Sequence, residues 1–426
     1  MGSVPARRGV VGSSREKNGH TRRKRTRIAL SLKLACLLLA LIPTVSSQPN
    51  VSFSPILELY STQWLYEGVH LSQIGSISSR LAAIWSYRTV SSSMDGDVYV
   101  QVFEKVGDNM QKIGSSSRLA SSSASEHRPS VASLGTSRAF VVYEKSFNVY
   151  GVVIGNDGNK IGFEQQVNAY TVDFKQFPKV TSLGSNRVLV VYQLKYDGVF
   201  AQVLDENGNK VGTEFQVHAS TLNTQGWPSC SSLGSTHAIV VWQSNHDGPT
   251  NGPYGVYAQI VDTSGSKVGS EFRVDDGTTD SNSGISVSPI GLNRVMVTWS
   301  ALVTGEDSQY NYRAIYAQII TDQGQKVGHV FQVNSKAHRT VSVQVASPLE
   351  FNRAIIVFVG SVSYTGSSST RIYARVVDSE GNKLGSEFLV SDNSHSSSER
   401  MMGCQRPAVS RTRIHSQLLG WLIQME

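Results

Sequence analysis

Between roughly residues 70 and 400 the chain switches repeatedly between two hydrophobic patterns. One is strict alternation. In "GVYAQIVDTSGSKVGSEFRV" (255–274), Val256, Ala258 and Ile260 fall on one side and Tyr257, Gln259 and Val261 on the other. A turn at Asp262–Gly265 follows, then a second alternating run, so the stretch predicts a β-hairpin. The other pattern is a short run that is apolar throughout, as in "SLGSNRVLVVYQ" and "SLGSTHAIVVWQ". Such a run predicts a strand buried on both faces.

Both patterns recur. The hairpin's aliphatic–Gly pair stands at Ile113-Gly114, Ile161-Gly162, Val211-Gly212, Val268-Gly269, Val327-Gly328 and Leu384-Gly385, at intervals of 48, 50, 57, 59 and 57 residues. Each period holds four strands, A to D. In the third copy they are predicted at 179–183, 188–193, 199–204 and 211–217, with C and D half-exposed. In the C–D turn, Asp205 to Asn209, a glycine or an asparagine supplies the positive φ that tight hairpins need. No segment past residue 47 carries a helical period. Four antiparallel strands in each 50–60 residues predict an all-β propeller of four-stranded blades, which leaves few sheet edges open.

Seven A–B pairs, from Gln73 to a last copy beginning at Arg406, predict seven blades, the ring being closed by a strand at 54–63. A six-bladed ring and an open array are the alternatives, as are tandem β-sandwiches, for which the period is short.

Charge revises the picture at one end only. Ten of the 39 Lys and Arg residues and one of the 32 acids lie in residues 1–47, which leaves 29 basic against 31 acidic residues for the rest. The +7 formal charge is therefore no nucleic-acid footprint. Residues 1–47 read as a signal peptide with a long basic flank, or as an uncleaved type II anchor. The apolar core after Lys33 is shorter than the roughly 20 residues a membrane span needs. Residues 48–426 are expected to be one exported propeller, secreted or at the cell surface, touching a membrane only through an uncleaved anchor. Asn50-Val51-Ser52 is a glycosylation sequon. Cys230 and Cys404 do not make a disulfide scaffold, and Cys230 reads as a small buried hydrophobe.

Pro129, Val131, Leu134, Val141-Val142, Val256-Tyr257-Ala258-Gln259, Asp262, Gly265, Val268-Gly269, Glu271-Phe272 and Val333-Asn334 resemble the tandem repeats of large secreted bacterial surface proteins. The resemblance covers about residues 70–400. It implies an extracellular, propeller-like binding or surface role and brings no catalytic residue.

The residues themselves give little chemistry. The "DENGNK" turns lack the acid spacing of a calcium loop. Histidines and cysteines show no metal-ligand spacing, and no nucleophile elbow or phosphate loop appears. Arg138, Arg187, Arg294 and Arg353 recur in register and are expected to cap a turn or pair with a neighbouring blade. No catalytic residue, metal or cofactor is assigned.

Length variation collects in the B–C and D–A connections, which share one propeller face; loops on a rigid frame are where binding usually lives. The candidates there are Tyr254, His246, Asp247, Glu306, Asp307, Tyr310, Tyr312 and Trp227, with Phe174 and Phe177 nearby. The expected function is a non-enzymatic binding or adhesion module for a protein or carbohydrate ligand. A glycan-processing hydrolase with degenerate sialidase-like motifs is the alternative, and a purely structural surface component the third.

Overall fold

A computed structural model describes residues 64–390 apart from 76–78, 90–95, 107–108, 121–123, 170–172, 196–197, 221, 248–252, 278–279, 304–311, 336–338, 350–351 and 362–369. The described chain is a β-propeller of six four-stranded blades, spanning 64–120, 126–166, 175–216, 225–273, 280–332 and 339–389. Each blade is an antiparallel meander in the order A–B–C–D. One bridge, Arg313 to Thr340, joins the sheets of blades 5 and 6. Six blades replace the seven expected from counting A–B pairs. The residues assigned to the seventh, from Arg406 onward and at 54–63, lie outside the described residues, as do 1–47 and Asn50.

Strand A lines the axis, because successive blades meet through their A strands. In blade 3 the strands are Lys175–Ser182, Val188–Leu194, Gly198–Leu204 and Lys210–Gln216. Strand B is the core of the design. Val188, Val190 and Tyr192 pack on blade 2 through Phe140 and Val142, while Leu189 and Val191 pack on blade 4 through Val240 and Trp242. Period-2 alternation therefore feeds two inter-blade cores from one strand, which explains a run apolar throughout.

Strand C corrects the reading from alternation. Gly198–Leu204 and Gly255–Asp262 are almost wholly buried, whereas strand D is open to solvent. The polar member of the alternation, Gln202 or Gln259, is itself buried. Gln259 Nε2 donates to the carbonyls of Ile260, Val268 and Gly269 at 3.1–3.2 Å, spanning the bulge where strand D meets strand C. The recurrent Gln and the recurrent Val-Gly pair are one structural device.

The recurrent arginines reach the C–D turn of another blade. Arg80 donates to Asn156 O and Arg138 to Glu206 O and Asn207 Oδ1, both at 3.1 Å or less, and Arg187 to Thr263 O. Arg294 of blade 5 donates to Ser379 O of blade 6 at 2.8 Å. The recurrent strand-D glutamates clip blades likewise. Glu271 accepts from Ala219 N at 2.6 Å and Glu387 from Ser335 N at 2.9 Å.

Candidate functional site

The inner strand begins earlier than its hydrophobic pattern shows, with a β-bulge on the face that carries the B–C and D–A connections. In blades 2, 3 and 4 the pairing slips at His127/Ser130, opposite Val191/Gln193, and at Gly226/Ser229. Each bulge places a large residue directly before a proline: Arg128 before Pro129, Phe177 before Pro178, Trp227 before Pro228. All three lie in the left-handed region, at φ of 48°, 57° and 49°. A bulky non-glycine residue there costs on the order of 1–3 kcal/mol and persists only where the surroundings over-determine it.

Those surroundings come from the preceding blade. Glu144, at the end of strand B in blade 2, accepts from Phe177 N at 2.6 Å. Gln193, one blade on, accepts from Trp227 N at 3.1 Å. Gly226 is needed beside it, since a Cβ there would come within 2.8 Å of the Gln193 amide. Glu144 also accepts from Arg128 NH1 at 2.7 and 2.9 Å, so its two oxygens serve two blades.

The strained side chains form a belt. Arg128 lies over the Phe177 ring at 4.5 Å, the Phe177 and Trp227 centroids are 6.5 Å apart, and Tyr254 meets Trp227 edge-on at 6.0 Å. Trp227 is 43% exposed, while the other tryptophans with described side chains, Trp85, Trp242 and Trp299, are buried. A second aromatic pair, Phe147 and Phe174, meets edge to face at 4.2 Å with Lys195 over the Phe174 ring.

The B–C connection of blade 4 is braced from behind. His246 Nδ1 lies 2.7 Å from Ser244 Oγ, and its Nε2 lies 3.0 Å from Asp247 and 3.5 Å from Glu271. The Tyr257 hydroxyl donates to Asp247. Arg273 grips the buried carboxylate of Asp275 through two 3.0 Å hydrogen bonds, which hold the guanidinium above its ordinary pKa. Asp275 further accepts from Val256 N at 2.8 Å and Asn282 Nδ2 at 3.2 Å. His246 and Asp247 are thus struts of the loop that leads to Tyr254.

Of the sequence candidates, the fold brings Trp227 and Tyr254 together and places His246 and Asp247 against each other. Trp227 and Phe177 sit within strand A, not at the ends of D–A loops. Glu306, Asp307 and Tyr310 lie outside the described residues. Tyr312 opens strand C of blade 5, paired with Val303. Pattern reading missed Arg128, Glu144 and Gln193. The alignment of Arg-Pro, Phe-Pro and Trp-Pro across three repeats is the signal that would have found the first.

The C–D turns hold their own aspartates. Asp262 Oδ1 accepts from Ser264 N at 2.8 Å and Ser266 N at 2.9 Å. Burial opposes its ionisation, but these bonds outweigh burial and keep its pKa below the usual aspartate value.

No family model matches the chain, and no curated protein sequence does. Among solved structures it is similar to BP39L lectin from Burkholderia pseudomallei, at 12% identity over 75% of this chain and 98% of that one, TM-score 0.47. It is also similar to the α-L-arabinanase of Penicillium chrysogenum complexed with arabinobiose, at 14% identity over 74% and 94%, TM-score 0.46. A third is AofleA from Arthrobotrys oligospora, at 12% over 81% and 94%, TM-score 0.41.

Proposed function

We propose that this chain is an exported, non-enzymatic binding module that takes a carbohydrate ligand on the face bearing the Arg128–Phe177–Trp227–Tyr254 belt. The observation that carries this reading is the strain. Three successive blades hold large side chains at positive φ, each at a bulge, in a row where Arg128 and Trp227 are exposed and Phe177 is half-buried. A fold with no use for those rings would place glycine there, as blade 5 does at Gly284, φ 62°. Aromatic rings with an N–H or O–H at one edge suit a ligand that alternates C–H faces with hydroxyls. Glu144 supports binding more than hydrolysis, because Arg128 and Phe177 N–H already occupy its oxygens.

A saccharide array followed by tryptophan fluorescence tests this. A bound saccharide should change the emission of the full chain saturably, since Trp227 is the exposed tryptophan among those described. Trp227→Ala should abolish the response and weaken binding at least tenfold, about 1.4 kcal/mol. Phe163→Ala, on the outer strand of blade 2 and 94% exposed, should leave both unchanged. Wild-type affinity in Trp227→Ala would remove the belt from consideration.

A further inference from the structure

One position of the inner strand departs from its sisters. The residue paired with strand B just after the bulge is His70, Ser130, Lys179, Ser229, Ser286 and Gln344 in blades 1 to 6. Four of the six are neutral, so blade geometry does not ask for a base there. Blades 1 and 3 are not neighbours, yet Lys179 Nζ lies 3.4 Å from His70 Nε2. That contact joins the axis-lining A strands of two blades that are not adjacent. Lys179 is also two residues beyond Phe177 on one strand, just past the bulge.

Lys179 is half-buried on the strand that lines the axis, where desolvation pulls its amine below the ordinary lysine value. Its negative neighbours do not neutralise it. Glu144 is spent on Arg128 and Phe177 N–H. The Cys230 thiol is pushed up to about 12 by burial and stays protonated. One hydrogen bond to an imidazole uses one of the three donors of an ammonium. A half-buried ammonium with a single imidazole acceptor, at a position where four sister blades carry a neutral residue, is stabilised when an anion completes it.

Building on the binding reading above, we infer that Lys179 and His70 form an acid subsite at the inner end of the belt, which takes the carboxylate of an acidic saccharide whose rings lie on Phe177 and Trp227. The carboxylate accepts from the Lys179 ammonium, which His70 Nε2 holds in place by accepting one of its three protons, so the belt supplies affinity for sugar rings and Lys179 selects the charged one.

Two arms test this with the full chain. In the first, thermal unfolding is followed against sodium acetate at fixed ionic strength. Acetate should raise the Tm of wild type saturably and leave Lys179→Met and Lys179→Gln unmoved. Both variants should fold, because each removes a desolvated amine. Equal acetate responses in wild type and both variants overturn the subsite, whatever the belt does. In the second arm, a galacturonate trisaccharide and its neutral galactose counterpart are titrated. Wild type should prefer the acidic sugar about tenfold, the gain expected of a charge-assisted hydrogen bond. Lys179→Met should lose the preference while keeping the neutral affinity, and Trp227→Ala should lose both. An acid preference unchanged in Lys179→Met overturns the subsite and leaves the belt standing. Binding of neither sugar to wild type overturns the belt reading, and the acetate arm then decides the subsite alone.

Discussion

Trp227 concentrates the residue-scale argument. Its indole is placed by a backbone angle that its own Cβ resists, so the proposed ligand contact and local stability oppose each other there. Trp227→Ala keeps the strain and loses the ring, whereas Trp227→Gly loses both. The glycine variant should therefore be the more stable of the two by about 1 kcal/mol in urea unfolding, with neither binding. The turn aspartates Asp157, Asp205, Asp262 and Asp378 make a second residue-scale case. All four have folded pKa values below the ordinary 3.8. Their contribution is present above the unfolded value and is lost as pH falls through the folded values. The urea midpoint should drop below about pH 4, and replacing all four by Asn should flatten that drop. The change per residue will be small, because the groups are largely exposed. Trp227 and Tyr254 were legible in the sequence as aromatics near loops. Glu144 and Gln193 were not, since their work is done on the backbone of the following blade, some 33 residues away.

At the scale of the element, the C–D hairpin shows why its wording repeats. Gly265, at φ 89°, turns the chain where a Cβ would press on Val203 and Phe215 of the previous blade. Gln259 spans the bulge from within. Gln259→Leu leaves three carbonyls without that donor and should cost about 1–3 kcal/mol in a chemical denaturation curve, with saccharide binding kept. Strand boundaries in blade 3 fall within one residue of the pattern for B, C and D. Strand A starts four residues before its predicted 179, at Lys175. A bulge breaks the alternation that the pattern relies on, and a proline beside it reads as a loop. The burial of strand C was equally hidden, because a side chain covered by the next blade can be polar and satisfied.

The whole molecule divides into protected and exposed shells. Strand B is enclosed by two inter-blade cores, and strand D faces solvent. Amide exchange should therefore slow from D to B within each blade, with Val188–Leu194 and His237–Ser244 among the last to exchange. Comparable rates in strands B and D would contradict the inter-blade packing described for blades 2 to 4. The belt and the Lys179–His70 pair also belong to this scale. They draw on blades 1 to 4, and no single repeat contains either.

The sequence by itself determined the blade. Period-2 alternation, apolar B runs and positive-φ turns are local, and each copy repeats them, so strand order and hairpin geometry follow from any one period. It also located the face whose connections vary. The tertiary structure alone decided the number of blades among the described residues, the burial of strand C and the belt. Each depends on what an adjacent or opposite blade brings to a side chain. That information is spread over residues some 30 to 110 positions apart, as in Glu144 and Phe177 or Lys179 and His70, and leaves no periodic trace along the chain.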